Sequence, residues 1–163
     1  MGNFWDYSLA VYERPGFAPA ALGLQGRLGA DVNMLLYCCW YGASGRGTLT
    51  PNDLAVLAEK VHDWRVGVIE PLRAVRRRMK PDRRPEAMAL RAKINACELD
   101  AERIEQSVLA DEACLPDGAP QTAAGKRDDA GRNLDAYFLM VGAALMEADR
   151  ADIARLLDAA FPI

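Results

Sequence analysis

Asp31-Val32-Asn33-Met34-Leu35-Leu36-Tyr37-Cys38-Cys39-Trp40-Tyr41 is the most apolar and aromatic run in the chain, bounded by Gly29 and Gly42. Read as a helix, it places Val32, Leu35, Leu36, Cys39 and Trp40 at i, i+3, i+4, i+7 and i+8, and Met34, Tyr37, Cys38 and Tyr41 make the other side apolar as well. A helix apolar all round is buried all round. The remaining segments are predicted to wrap it.

Outward from this stretch, Asn3-Phe4-Trp5-Asp6 reads as a helix start, with Asn3 as N-cap, and Pro15-Gly16 as its stop. Leu22, Leu24 and Leu28 offer a second, glycine-weakened helix over about 18–28, and Asp31 is the N-cap of the central one. Thr50-Pro51-Asn52-Asp53 opens a helix with the stripe Leu54, Leu57, Ala58, Val61. Trp64 to Lys80 carries Val68, Leu72, Val75 and Met79 on one side, and Pro71 predicts a break near 67–70. Ala87, Leu90, Ile94, Cys97, Ala101, Ile104 and Val108 recur at three and four residues over about 86–113, a heptad seam expected to pack against another helix of the chain. Glu98, Glu102 and Glu105 share another face of that helix, read as solvated charge or as a partner for nearby arginines.

Ala, Leu and Arg are the commonest residues, so propensity and pattern agree on an all-α class. The predicted architecture is a single-domain helical bundle of about seven or eight helices around residues 31–41. Its subdivisions are a helical core at 1–114, a flexible linker at 115–131 rich in Pro, Gly and charge, and a C-terminal helical pair at 132–163 docked on the core or on a partner.

Charge is uneven along the chain. Nine basic residues against Asp82 and Glu86 give the segment from Arg73 to Lys93 a local charge of +7 within a net charge of −3. Arg73, Arg76, Arg77, Lys80 and Arg84 are the candidate basic binding face, either for an anion or for the acidic face of the following helix. Nucleic acid is the lesser reading of this face, because the sequence pI is near 5.2 and no aromatic residue lies inside the run. A second candidate site is a pocket beside the central helix, formed by Asp31, Asn33, Tyr37, Trp64 and Arg73.

Catalytic signals are weak. The only histidine, His62, has no partner at motif spacing, and Cys38, Cys39 and Cys97 read as small core hydrophobes. No disulfide framework, metal site or cofactor is expected, and the balance is against an enzyme. No leader pattern is visible, and the longest uncharged run, Val32 to Gly45, falls short of the ~18 residues of a membrane span, so a cytoplasmic protein with no membrane contact is expected. By elimination the first expectation is a protein-binding module, for assembly or regulation, whose partner is another protein or a second copy. Anion or nucleic-acid binding comes second, and an enzyme or small-ligand pocket third.

Several stretches carry a resemblance: Phe4-Trp5-Asp6-Tyr7-Ser8-Leu9-Ala10-Val11-Tyr12-Glu13-Arg14-Pro15-Gly16, then Leu24-Gln25, Gly29-Ala30-Asp31-Val32-Asn33-Met34-Leu35-Leu36 and Trp40. Further on come Trp64, Pro71-Leu72-Arg73 with Arg76, and Glu98-Leu99-Asp100-Ala101-Glu102-Arg103. On these the first two-thirds of the chain resembles a proteobacterial family of small proteins defined by domain of unknown function 2390. The resemblance implies a bacterial, cytoplasmic, helical protein and brings no activity with it.

Overall fold

The computed structural model describes residues 3–114 and 121–162. Within them the fold is all-α and forms one bundle. Its helices are α1 (Phe4–Tyr12), α2 (Phe17–Leu28), α3 (Val32–Ala43), α4 (Pro51–Trp64), α5 (Glu70–Arg78), α6 (Pro85–Asp111), α7 (Ala123–Met140) and α8 (Glu147–Ala160), with a five-residue π turn, Arg65–Ile69, between α4 and α5.

Local chemistry sets the helix starts. Asn3 Oδ1 accepts from the Asp6 N–H at 2.9 Å, Asp31 Oδ1 accepts from the Asn33 N–H at 2.9 Å, and Thr50 and Asp53 close a reciprocal capping box. Burial then decides the arrangement. Every α3 residue from Asn33 to Ala43 is buried, with α1, α2, α6, α7 and α8 packed around it. Phe4 of α1 lies on Tyr37 and Trp40, with ring centroids 5.5 and 5.0 Å apart.

The α3–α7 contact is the most extensive helix pair. Gly42 allows it: a Cβ there would lie 2.5 Å from the Ala130 backbone nitrogen, so the two main chains meet with no side chain between them. Asn133 of α7 is fully buried, yet it donates to the carbonyls of Cys38 and Gly47 and accepts from the Leu49 N–H at 2.7 Å. It thereby ties the loop after α3 to α7. On the opposite side Arg27 of α2 bridges Asp149 and Asp152 of α8 at 2.7 and 2.6 Å, and Arg14 donates to the last carbonyls of α8, at Ala159 and Ala160.

Four expectations need correction. The break near 67–70 is absent, because the π turn lets the chain run from α4 into α5: the Glu70 N–H reaches the Arg65 carbonyl, and the wider turn accommodates Pro71 without a clash. The linker expected at 115–131 lies partly outside the described residues, and 123–131 is helix. Thr122 caps it and its burial against α3 supplies what its polar sequence lacks. The C-terminal pair expected at 132–163 begins earlier, since its first helix is the continuation of α7 from Ala123, and that helix stops at Met140, where Gly142 takes φ 68° and the Ala143 N–H turns back to the Phe138 carbonyl.

The fourth correction concerns α6. Leu90, Cys97, Ile104 and Val108 of its heptad seam are exposed, and the face turned inward carries Glu98, Ala101, Glu105, Gln106 and Leu109. Cys97 is therefore a surface thiol, whereas Cys38 and Cys39 lie in the core. The polar side of the helix faces the bundle because the partners able to satisfy it sit there.

Candidate functional site

Those partners come from two places. From α5, Arg73 donates to Glu98 Oε1 at 2.9 Å and to Glu102 Oε1 at 2.7 Å, while Arg76 makes a close, two-pronged pair with Glu98. Burial alone would raise Glu98, but the hydrogen bonds from Arg76 and Arg73 outweigh it and hold its carboxyl below the ordinary range. Glu102 shows the opposite balance: burial outweighs its single arginine and its pKa rises.

From the start of α3, Asn33 Nδ2 donates to Glu105 Oε2 at 3.1 Å, and Gln106 Nε2 donates to Asn33 Oδ1 at 2.8 Å. Glu105 is only 1% exposed, and no N–H or O–H of another residue reaches its Oε1. Its side chain meets that of Asp31, and burial followed by the Asp31 charge pushes its pKa up to about 8. Two carboxyls in contact hold one proton between them. A proton on Glu105 Oε1 turns that oxygen from an orphan acceptor into a donor towards Asp31. The Asp31 N–H is bonded to Tyr137 Oη at 2.8 Å, which fixes the pair from the α7 side.

This network floors a cleft between α1 and α2 on one side and the π turn, α5 and α6 on the other. Two cavities of about 550 and 300 Å³ share Leu22, Gln25, Asp31, Asn33, Arg73 and Arg77 in their walls, so they are lobes of one space. The larger lobe adds Arg65, Glu70 and Glu105; the smaller adds Trp5, Leu9, Tyr12, Leu99 and Gln106. Arg65 forms long ion pairs with Asp31 at 3.7 Å and Glu70 at 4.0 Å, without a hydrogen bond to either, and Arg77 has no ion pair among the described residues. Gln106 is 3% exposed, and its Oε1 has no partner. One end of the cleft thus carries free guanidinium charge, and the other an apolar wall with an unpaired buried acceptor.

Of the residues singled out in the sequence, Asp31, Asn33 and Arg73 meet in this cleft. Tyr37 does not: it lies more than a turn further along α3, fully buried among Phe4, Trp40 and Tyr41. Trp64 does not either, since its indole N–H is spent on the Ala101 carbonyl at 2.9 Å, pinning the π turn to α6. The basic face divides. Arg73 and Arg76 are held by α6, Arg84 pairs with Asp82, and Arg77 and Lys80 are exposed. Glu98 and Glu105 are buried rather than solvated, because arginine and amide partners on α5 and α3 take the place of water. Sequence reasoning missed Arg65, Glu105 and Gln106 as site residues. The available signal was a run of polar residues, Glu98, Glu102, Glu105 and Gln106, at helical spacing opposite Arg73 and Arg76.

Other reactive groups lie elsewhere or are engaged. His62 is exposed on α4, burial pushes the Cys39 thiol up to about 12 and holds Cys38 well above the ordinary thiol range, and Ser8 Oγ donates to the Phe4 carbonyl. Among the described residues no three His, Cys, Asp or Glu side chains stand close enough to hold a metal ion, and no helix is long and apolar enough to cross a membrane.

Fold and site together define a small all-α protein with an amphipathic cleft at the N-terminal end of its buried helix. The chain belongs to the family described as protein of unknown function (DUF2390), whose model matches residues 3–109. Every residue of the cleft falls inside that match, and α7 and α8 fall outside it. No curated protein and no solved structure matches the chain.

Two outcomes follow from the network. Between 4.5 and about 8 the folded protein keeps on Glu105 a proton that the unfolded chain has released, so stability falls as pH rises through that window. Melting curves should show Tm falling by several degrees from pH 5 to 8, and Glu105→Gln, whose amide keeps both hydrogen bonds, should flatten that fall; an unchanged slope in the variant would remove Glu105 from the account. Separately, Arg76→Glu sets a carboxylate against Glu98 and should cost about 3 kcal/mol in denaturant unfolding, whereas Arg77→Glu should stay within about 0.5 kcal/mol of the parent.

Proposed function

We propose that the protein binds a small carboxylic acid that also carries a hydrogen-bond donor and an apolar body, as an amino or hydroxy acid does. One observation carries this reading: the guanidinium of Arg77, without an ion pair among the described residues, that of Arg65, whose ion pairs to Asp31 and Glu70 are long, and the unpaired Oε1 of Gln106 face the same cleft, whose size suits a small ligand. Arginine forks recognise a carboxylate, and a buried acceptor without a partner discriminates strongly in favour of a ligand that brings a donor. Trp5, Leu9, Tyr12 and Leu99 offer contact for an apolar side chain. Glu105, neutral at pH 7, adds no repulsion to an incoming carboxylate.

The reading is of binding: among the described residues the cleft presents arginine, amide and apolar groups, which recognise a ligand. A bacterial cytosol suits it: Cys97 and Cys114 are exposed free thiols, which a reducing compartment preserves. A protein-docking role keeps one specific support, the exposed α6 stripe of Leu90, Cys97, Ile104 and Val108. It ranks second because that stripe gathers no polar group that would define a partner.

Binding of 3-phenyllactate and L-phenylalanine, followed by Trp5 fluorescence and Tm, tests the proposal against 3-phenylpropionate, which lacks the donor, and phenethylamine, which lacks the carboxylate. The first pair should bind with Kd at or below about 1 mM, the controls at least tenfold more weakly, and Arg65→Ala should lose at least tenfold. Equal weak binding of all four, or none, would overturn it.

A further inference from the structure

The α5–α6 hairpin leaves the bundle as an arm. No residue of α5 is buried, and the first buried residue of α6 is Glu98, so the chain from Glu70 to Cys97 adds nothing to the core. Arg73 and Arg76 of α5 pair with Glu98 of α6 at the base of the arm, and Arg91 donates to the Arg76 carbonyl at 3.2 Å, so these contacts hold its two helices together. Its free end is different. Arg77, Arg78, Lys80, Arg83 and Lys93 are exposed and have no ion pair among the described residues, and only Arg84 is neutralised, by Asp82. Like charges held together on a part of the fold that adds nothing to the core repel one another, and an oppositely charged partner turns that cost into a gain.

We infer that the end of this arm binds the phosphate backbone of nucleic acid. Arginine prevails among the free cations, and its planar fork matches phosphate oxygens in two-pronged fashion. Arg77 and Arg78 are adjacent on α5 and so point about 100° apart, while Lys93 stands on the other helix. Charge spread around a projecting end meets phosphates on more than one side, as a folded or duplex nucleic acid presents them; a flat anionic bilayer would engage one side only. No aromatic residue lies between Arg73 and Lys93, so base stacking is absent and binding is independent of sequence. The acidic character of the chain does not oppose this, because the carboxylates lie mainly on other elements. Arg77 also lines the cleft, but Arg78, Lys80 and Arg83, which the test below varies, stand outside the cleft contacts that carry the ligand proposal, so the two stand or fall separately.

Fluorescence anisotropy of the full chain with labelled 25-bp duplex DNA and duplex RNA, titrated from 50 to 200 mM salt, tests this. Affinity should fall with a log–log slope of about −3 to −4, near 0.9 per phosphate contacted, and the RNA and DNA arms show which duplex is preferred. R78E/K80E/R83E should weaken binding at least tenfold and reduce the slope by about three, with an unchanged thermal melt. The charge-neutral K80Q/R83Q should lose part of both. Undetectable binding to both duplexes at 50 mM salt, a parental slope in the triple variant, or tighter binding to anionic vesicles or polyglutamate than to either duplex would overturn it.

Discussion

Glu105 is a carboxyl that the bundle takes almost wholly out of water, and the arrangement around it follows from how that burial is tolerated. An isolated ionised carboxylate in such a place would be prohibitively costly. Here the group keeps its proton, turned towards Asp31, and accepts from Asn33, so it is left neither charged nor unpaired. Asp31 is at the same time the N-cap of α3, and the pair therefore sits where the buried helix begins. Turning α6 to bring Glu105 to that point brings Glu98 and Glu102 beneath the arginines of α5 and exposes the apolar seam.

The cleft is a consequence of the same rotation. An α6 that packed on its seam would have made the space beside α3 dry and apolar. With the polar side inward, Asn33, Gln106 and the arginines of α5 and the π turn line a space that opens to solvent. The π turn contributes directly: it carries Arg65 to the cleft while absorbing Pro71, so the helix continues without a break.

How far the sequence discloses this depends on whether the cause is local. The caps at Asn3, Asp31 and Thr50 are legible because each needs only a side chain and the next few backbone N–H groups. The burial of α3 is legible too, since its residues are apolar in every direction. The orientation of α6 is not: its heptad pattern points one way, and the opposing choice rests on Arg73, Arg76 and Asn33, which reach it only in three dimensions. The first turns of α7, Ala123 to Gly131, read as a linker for the same reason. Their helix is sustained by the close approach of Ala130 to Gly42 and by Asn133, and no pattern within the segment reveals either. Arg65 escaped notice because a π turn has no sequence signature of its own.

The proton that the buried Glu105 keeps beside Asp31 is what the fold at the cleft and the chemistry of the cleft both rest on. Carbon-detected NMR titration of the side-chain carboxyl of Glu105 measures it directly. The expected midpoint is near 8. A midpoint at the ordinary 4.5 would mean that Glu105 is ionised and hydrated at neutral pH, and that α6 does not turn its polar side into the bundle.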